Sequence, residues 1–393
     1  MPGPLKGFRI LDFTILTAGA EATGYLCDLG AEVIKVEPPG GEIGRRLTPL
    51  PAGESTFFLP QNRGKRSIVI DLKKPAGREI ALKLAASCDA VVHNFRAGAM
   101  ERLGLGYEAF RAVNPSIIYA EGTSHGKEGP DAEVESVDLL GQARSGVMSI
   151  TGEGYPTPVG YIATDFGSAM QLAIGVLSAL VWKMRTGEGQ RVETSMLGSM
   201  ITAQAWEMTH YLVTGEEPSQ GGRSHHLLSR GVWGVYDTAD GHLALAGLEL
   251  PKLADIAMAL DAPELAQFAD VEPAQRMQRM PQVREALRLV FTRHDTQSLY
   301  SCLRALGIRA TPVQSYGEVV NDPQVLANEY IVDIDHPKFG PTRMTGNPLR
   351  FSETRSELSP TAPAVGEHSL EVLREAGYSD EEVSTFMRDG VVA

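Results

Sequence analysis

The chain has 393 residues, 43% of them hydrophobic and 22% charged, a composition that excludes a disordered segment and suits two or three folded domains. It carries 49 acidic against 36 basic residues, a formal charge of −13. That sign is the wrong one for bulk nucleic-acid binding, which needs clustered cations to release counterions, although a local basic pocket for a small anion stays open.

In chain order, FRILDFT reads as a strand, Ala20 to Leu29 as a helix and AEVIKVE as the next strand. SIVIDL, AVVHNF and SIIYAEG continue the series, with helices expected over Arg78 to Ser87 and Ala99 to Val113. Strands separated by helices of this length predict βαβ units and a parallel sheet. Residues 126–165 are irregular and glycine-rich, as functional loops usually are. A helix follows from Phe166 to Met184, then the strand RVETSM and a helix from Leu197 to Thr214. The apolar run Met170 to Met184 is shorter than the roughly 20 residues that span a bilayer, so it is read as a buried core helix and no membrane partner is expected. GEEPSQGGRS, Gly215 to Ser224, reads as a linker. After it come a hairpin turning at Asp240-Gly241, helical segments from Lys252 to about Leu306, and a mixed stretch from Thr311 to Pro337. Two short helices, His368 to Ala376 and Asp380 to Arg388, close the chain.

Three cysteines, Cys27, Cys88 and Cys302, lie far apart without a CxxC. This predicts a reducing, cytoplasmic setting with neither disulfides nor a zinc site. The opening MPGPLKGFRILDF lacks the apolar core of a secretion signal. No G-x-G-x-x-G, Walker A, H-E-x-x-H or G-x-S-x-G motif occurs, and His225-His226 are adjacent instead of helically spaced, so metal-free chemistry is favoured. Arg63, Lys65, Arg66, Lys73 and Lys74 cluster around one strand: either a solvated basic loop or a docking site for phosphates. Arg96 and Arg102 follow a predicted parallel strand at its carboxyl end, where ligands of open α/β sheets collect. Asp165 precedes the apolar helix. Two readings stand beside each other there: a helix N-cap, or a carboxylate that the helix end orients and keeps ionised as a nucleophile.

The runs GAEVIKVEPPGG, NRGKRSIVIDLK, HNFRAGAMERLGLGYE, PVGYIATDFGSAM and TGEGQRVETSML, in this order, resemble the class III CoA-transferases. That family includes formyl-CoA transferase, the carnitine-related CoA-transferases and α-methylacyl-CoA racemase. The resemblance implies an α/β fold: a Rossmann-like large domain with a smaller α+β domain, paired as a homodimer of interlocked rings. The large domain is expected over residues 1–200, a helix and linker over 201–224, the small domain over 225–330, and a C-terminal segment, 331–393, returning to the large domain. The family's catalytic aspartate falls on Asp165. Its contacts to coenzyme A, bound as the substrate thioester, fall on Thr17, Ala18, Ile70, Lys73, Asn94, Phe95, Arg96 and Arg102. An arginine common after KVE is Pro38 here, with Arg45 or Arg46 as substitutes. The implied activity is transfer of CoA from an acyl-CoA to a free carboxylic acid, without a metal. The alternatives are racemase-type proton transfer and, more weakly, a non-catalytic CoA-binding protein. Racemases carry G-H-D where this chain has Ser136-Val137-Asp138, and valine cannot exchange protons. Glu249, matching a racemase glutamate, and His125 are then the remaining second bases. Tyr155, Tyr161, Met196, Met200 and Trp206 are candidates to line the acyl pocket.

Overall fold

The computed structural model describes residues 3–50, 53–218, 228, 231–355 and 358–393. His225-His226 and residues 219–224 of the expected linker therefore lie outside the described residues. Contacts divide the chain into two units: Met1–Ser145, Gly160–Ala203 and Asp322–Ala393 form one, Gly146–Val159 and Gln204–Asn321 the other.

The first unit begins β1 (Arg9–Asp12), α1 (Leu16–Asp28), β2 (Glu32–Glu37), α2 (Phe58–Asn62), β3 (Arg66–Val69), α3 (Pro75–Ala85) and β4 (Ala90–His93). It continues α4 (Ala99–Arg102), α5 (Tyr107–Val113), β5 (Ile118–Thr123) and α6 (Asp138–Arg144). After α7 (Val147–Ile150), which belongs to the second unit, come α8 (Ala163–Thr186), β6 (Arg191–Ser195) and α9 (Met196–Ala203). The six strands pair in parallel in the order β3-β2-β1-β4-β5-β6. The strand order reverses between β1 and β4, which opens the crevice where doubly wound sheets bind ligands.

Short runs of β-branched residues, buried on both sides, make this sheet a continuous apolar layer. One face carries Leu11, Ile34, Ile68 and Val91 against Ile80 and Leu84 of α3 and Phe110 of α5. The other carries Ile10, Val33, Val92 and Ile118 against Ala22 and Leu26 of α1 and Ala169, Leu172, Val176 and Leu180 of α8. At 24 residues, α8 is longer than the apolar run suggested and is long and apolar enough to cross a bilayer. Here that buried stripe packs on α1 and the sheet.

The second unit holds α10 (Ala205–Thr214), β7 (Val232–Asp237), β8 (His242–Leu248), α11 (Lys252–Ala259), α12 (Arg276–Phe291), α13 (Thr296–Ala305), β9 (Ala310–Pro312) and α14 (Tyr316–Val319). Its antiparallel sheet, β7-β8-β9, encloses Leu243, Leu253, Val283, Leu287 and Leu299. The expected hairpin closes with Thr238 N–H donating to Gly241 O. The chain then re-enters the first unit through α15 (Pro323–Ala327), the hairpin β10 (Ile331–His336) and β11 (Gly340–Thr345), α16 (Ser369–Glu375) and α17 (Asp380–Arg388). Val372, Leu373, Val383 and Val392 join the core around Leu84.

Three expectations are corrected. The helix expected over Ala99 to Val113 is two, because Gly104 turns left-handed (φ 73°) between α4 and α5. The helix expected from Leu197 to Thr214 breaks at Gln204, whose backbone leaves the helical region. The irregular 126–165 segment contains α6 and α7.

A buried ionic cluster ties the crevice together. The Lys65 ammonium, fully buried, donates to Asp12 Oδ2 (3.0 Å), Ala20 O (2.8 Å), Thr23 Oγ1 (2.8 Å) and Asn62 Oδ1 (2.9 Å). Burial opposes the Asp12 charge, but Lys65 and Lys35 outweigh it and hold that carboxyl below its ordinary range. Removing one partner of such a pair leaves an uncompensated charge in the core, which costs about 3–5 kcal/mol. Asp12→Ala is therefore expected to lower the urea midpoint strongly at pH 7, and Asp12→Asn to do so less; equal midpoints with the native chain would contradict the assignment.

Candidate active site

The loop between β1 and α1 is fixed by side chains from elsewhere. Asn94, just after β4, accepts from Ile15 N (2.8 Å) and donates to Ile15 O (2.8 Å). Leu16 N donates to Glu42 Oε2 (3.2 Å) and Leu16 itself takes a left-handed φ of 55°, a strain typical of ligand clamps. Gly19 permits the approach: a methyl there would stand 2.6 Å from Thr14 Cγ2 and 2.7 Å from Asn94 Cγ. The α1 amides that follow have no side-chain cap, and such a helix end favours anions. Across the same edge, a methyl on Gly122 of β5 would meet Leu172 of α8 at 3.4 Å and both Asn94 and Ser168 at 3.9 Å. Asn94 and Ser168, in the second turn of α8, therefore both stand beside Gly122 toward the carboxyl end of the sheet.

The residues expected to touch CoA sit around this edge with different freedom. Thr17 is buried and accepts from Gln61 Nε2 (3.0 Å), and Ala18 is nearly buried. Ile70 is buried and bridges Val392, and Phe95 packs against the core around Phe110. Arg96 pairs with Glu135. Lys73 and Arg102 are exposed and make no ion pair among the described residues. The rest of the basic cluster is consumed internally, which corrects its reading as a phosphate dock. Arg63 pairs with Asp28, Arg66 with Glu32, Glu371 and Glu375, and Lys74 donates to Asp389 O and Gly390 O. Arg45 pairs with Glu37 (2.5 Å) and stacks on Phe58, whereas among the described residues Arg46 has only a long contact to Gly40 O (3.5 Å). Both line a pocket of about 230 Å³ with Lys338, itself paired to Glu54.

Asp165 is not the helix cap. The helix begins three residues earlier than the sequence suggested, so Asp165 lies inside its first turn, with Ile162 at the cap position. The amides at that end are taken by Asp138, whose Oδ1 accepts from Thr164 N (2.7 Å) and Asp165 N (3.4 Å). The half-buried Asp165 carboxyl accepts no hydrogen bond among the described residues. Burial, with the Asp138 charge adding to it, pushes its pKa up to about 7. The helix end therefore does not keep this carboxyl ionised, contrary to the sequence expectation. The helix-capping part of Asp138 is what the sequence reading missed; its only signal was an acidic residue opening a helix 27 positions upstream.

Among the other named residues, Val137 is 57% exposed at the start of α6. His125 has an unpartnered Nδ1, and its pKa is lowered by burial and by Arg144. Glu249 is exposed in the second unit. Met196 and Met200 are buried, whereas Tyr155, Tyr161 and Trp206 are exposed, Tyr161 against the Phe166 ring. Among the described residues no group of three His, Cys, Asp or Glu side chains is arranged for a metal.

The family model for CoA-transferase family III matches residues 5–369. The succinyl-CoA:mesaconate CoA-transferase of Haloarcula hispanica is 35% identical, over 95% of this chain and 97% of its own. The human succinyl-CoA:glutarate CoA-transferase is 31% identical, over 99% and 90%. Among solved structures, a CAIB/BAIF family protein from Brucella suis superposes with a TM-score of 0.85 at 29% identity, covering 96% of this chain and 100% of its own.

A carboxyl that titrates higher in the folded chain than in the unfolded one favours the folded state only while protonated. Its contribution falls as pH rises from about 4 toward 7, and above 7 the full penalty of the buried charge stands. Asp165→Asn is expected to melt on the order of 2–4 °C above the native chain at pH 8 and level with it at pH 4. A difference that is the same at both pH values would contradict the shifted titration.

Proposed function

The chain belongs to CoA-transferase family III, and from that premise we propose that Asp165 moves CoA from an acyl-CoA to a free carboxylic acid by covalent catalysis. The observation that carries the reading is a carboxyl without hydrogen-bond partners, raised in pKa, beside the crevice at the carboxyl edge of the sheet. The Asp165 carboxylate attacks the thioester carbonyl, forming a mixed anhydride and expelling CoA thiolate. The thiolate attacks the aspartyl carbonyl, giving an aspartyl-CoA thioester, and the donor acid departs with one aspartyl oxygen. An acceptor carboxylate then runs the two steps in reverse. Dividing the exchange this way keeps the acyl activation on the enzyme and away from water.

Succinyl-CoA is the proposed donor and a dicarboxylic acid such as mesaconate or glutarate the proposed acceptor, because relatives similar over nearly the whole chain are named for them. Thr17, Ala18, Ile70, Lys73, Asn94, Phe95, Arg96 and Arg102 are the proposed CoA contacts. Lys73 and Arg102 supply the unpaired charge, with Arg46 standing in for the arginine missing at Pro38. Racemisation is disfavoured by Val137, which has no proton to exchange. The proposed state is a homodimer. On α8, Met170, Ile174, Val181 and Met184 are exposed at spacings of three, four and seven, an apolar stripe of the kind that seeks a second helix. Sedimentation equilibrium is expected to give twice the chain mass, and a monomer at micromolar concentration would refute the pairing.

With succinyl-CoA and glutarate, Asp165→Ala is expected to lose transfer, and hydroxylamine is expected to mark the Asp165 peptide of the native enzyme. An alanine variant with near-native turnover would refute the nucleophile. Arg102→Ala should raise the acyl-CoA KM about 10-fold or more with a smaller change in kcat, in keeping with a charge-assisted contact of about 1.5–3 kcal/mol. An unchanged KM would remove Arg102 from the site.

A further inference from the structure

Asp138 is the first residue of α6, and both of its carboxylate oxygens are engaged, one across to α8 and one within α6. Oδ1 accepts from the amides of Thr164 and Asp165, and Oδ2 accepts from Gln142 Nε2 (2.7 Å), which also donates to Tyr161 O (3.3 Å). Thr164 Oγ1 donates back to Asp138 O (3.3 Å). The two helices lie so close that a methyl on Gly141 would stand 2.6 Å from Thr164 Cγ2, so only glycine admits this packing.

An aspartate in the first turn of a helix ordinarily folds back onto the unpaired amides of that turn. Here those donors are already occupied from another helix. We propose that Asp138 is a positioning residue for Asp165: by clamping the first turn of α8 in its place, it leaves the Asp165 carboxyl turned away from the helix and free to attack. This rests on Asp165 being the nucleophile.

The arrangement also sets the charge of the site. Among the described residues, Asp138 is the one charged group acting on Asp165. Glu21 on α1, Glu121 on β5, Arg191 and Glu193 on β6 and Arg144 on α6, the elements packed around α8, contribute none. Asp138→Asn keeps an amide oxygen for the two backbone donors and removes the charge. Asp138→Ala removes both, and opens the amides to Asp165.

The test is a carbon-13 titration of the Asp165 carboxyl in the full-length protein, assigned by its loss in Asp165→Asn. The native midpoint is expected near 7, and Asp138→Asn to lower it by roughly one unit. Asp138→Ala is expected to lower it below about 4, because a carboxylate that collapses onto helix amides becomes more acidic. With succinyl-CoA and glutarate, kcat should fall roughly 10-fold or more in Asp138→Ala with little change in KM, and recover in Asp138→Asn. An Asp138→Asn midpoint equal to the native one would overturn the proposal, as would an Asp138→Ala midpoint no lower than that of the asparagine variant. Where the alanine variant does not fold, the asparagine variant alone decides. Transfer that persists in Asp165→Ala would refute the nucleophile and leave the titration order intact, so the two failures are distinguishable.

Discussion

The pairing of Lys65 with Asp12 is the contact on which the rest of the large unit hangs. A lysine ammonium with no exposure is tolerated only when its charge and its three protons are satisfied, and four oxygens do so here. They come from the end of β1, two turns of α1 and the end of α2, so one ammonium fixes the three segments that border the strand-order reversal. Lys35 repeats the device beside it, donating to Thr14 O at 2.8 Å and standing 4.0 Å from Glu42. Glu42 in turn holds Leu16, and Asn94 holds Ile15. The strained loop at the crevice is over-determined, which is how a backbone keeps an unfavourable φ.

This scaffold sorts the cations of an acidic chain into two kinds. Arg45, Arg63, Lys65, Arg66 and Lys74 have their partners in the protein, several of them far away in sequence, as Glu375 is from Arg66. Lys73 and Arg102 have none among the described residues, and a free cation at the edge of a negatively charged protein is where an anionic thioester would gain most. The Asp165 carboxyl, the proposed nucleophile, is treated in the opposite way: it is desolvated, set beside another carboxylate and given no donors among the described residues. A nucleophile so placed is about half ionised at pH 7 and, lacking hydrogen bonds, sheds little stabilisation when it attacks.

Much of the fold is legible in the sequence because the parallel sheet needs it to be. Its strands are buried on both faces, so FRILDF, EVIKVE and AVVHNF stand out as short apolar runs, and helix-length segments separate them. The hairpin of β10 and β11 does not stand out, because it is mostly exposed: Val332 and Ile334 share one face of β10, but only Met344 of β11 is an apolar partner there. The break at Gln204 carries neither glycine nor proline to announce it. In the site, Asp165 is visible from its place before an apolar run and from the family motif, but its environment is not. Whether a helix end ionises a carboxylate depends on who occupies the amides, and Asp138 reaches them from a separate helix. The basic run misleads for the same reason: sequence displays the charges and hides their partners.

The central claim is that the Asp165 carboxyl becomes part of a covalent chain between donor and acceptor. In that chain each acceptor leaves one of its own oxygens on the aspartate, and a later donor acid carries it away. The most direct measurement supplies glutarate labelled with oxygen-18 in both carboxyl groups, together with succinyl-CoA, and weighs the peptide that contains Asp165 after many turnovers. The account predicts one heavy oxygen on that peptide from the first turnover, a second as the other carboxyl oxygen is exchanged in later ones, and heavy oxygen in the succinate released after the first turnover. Sustained CoA transfer with an unlabelled Asp165 peptide would contradict it.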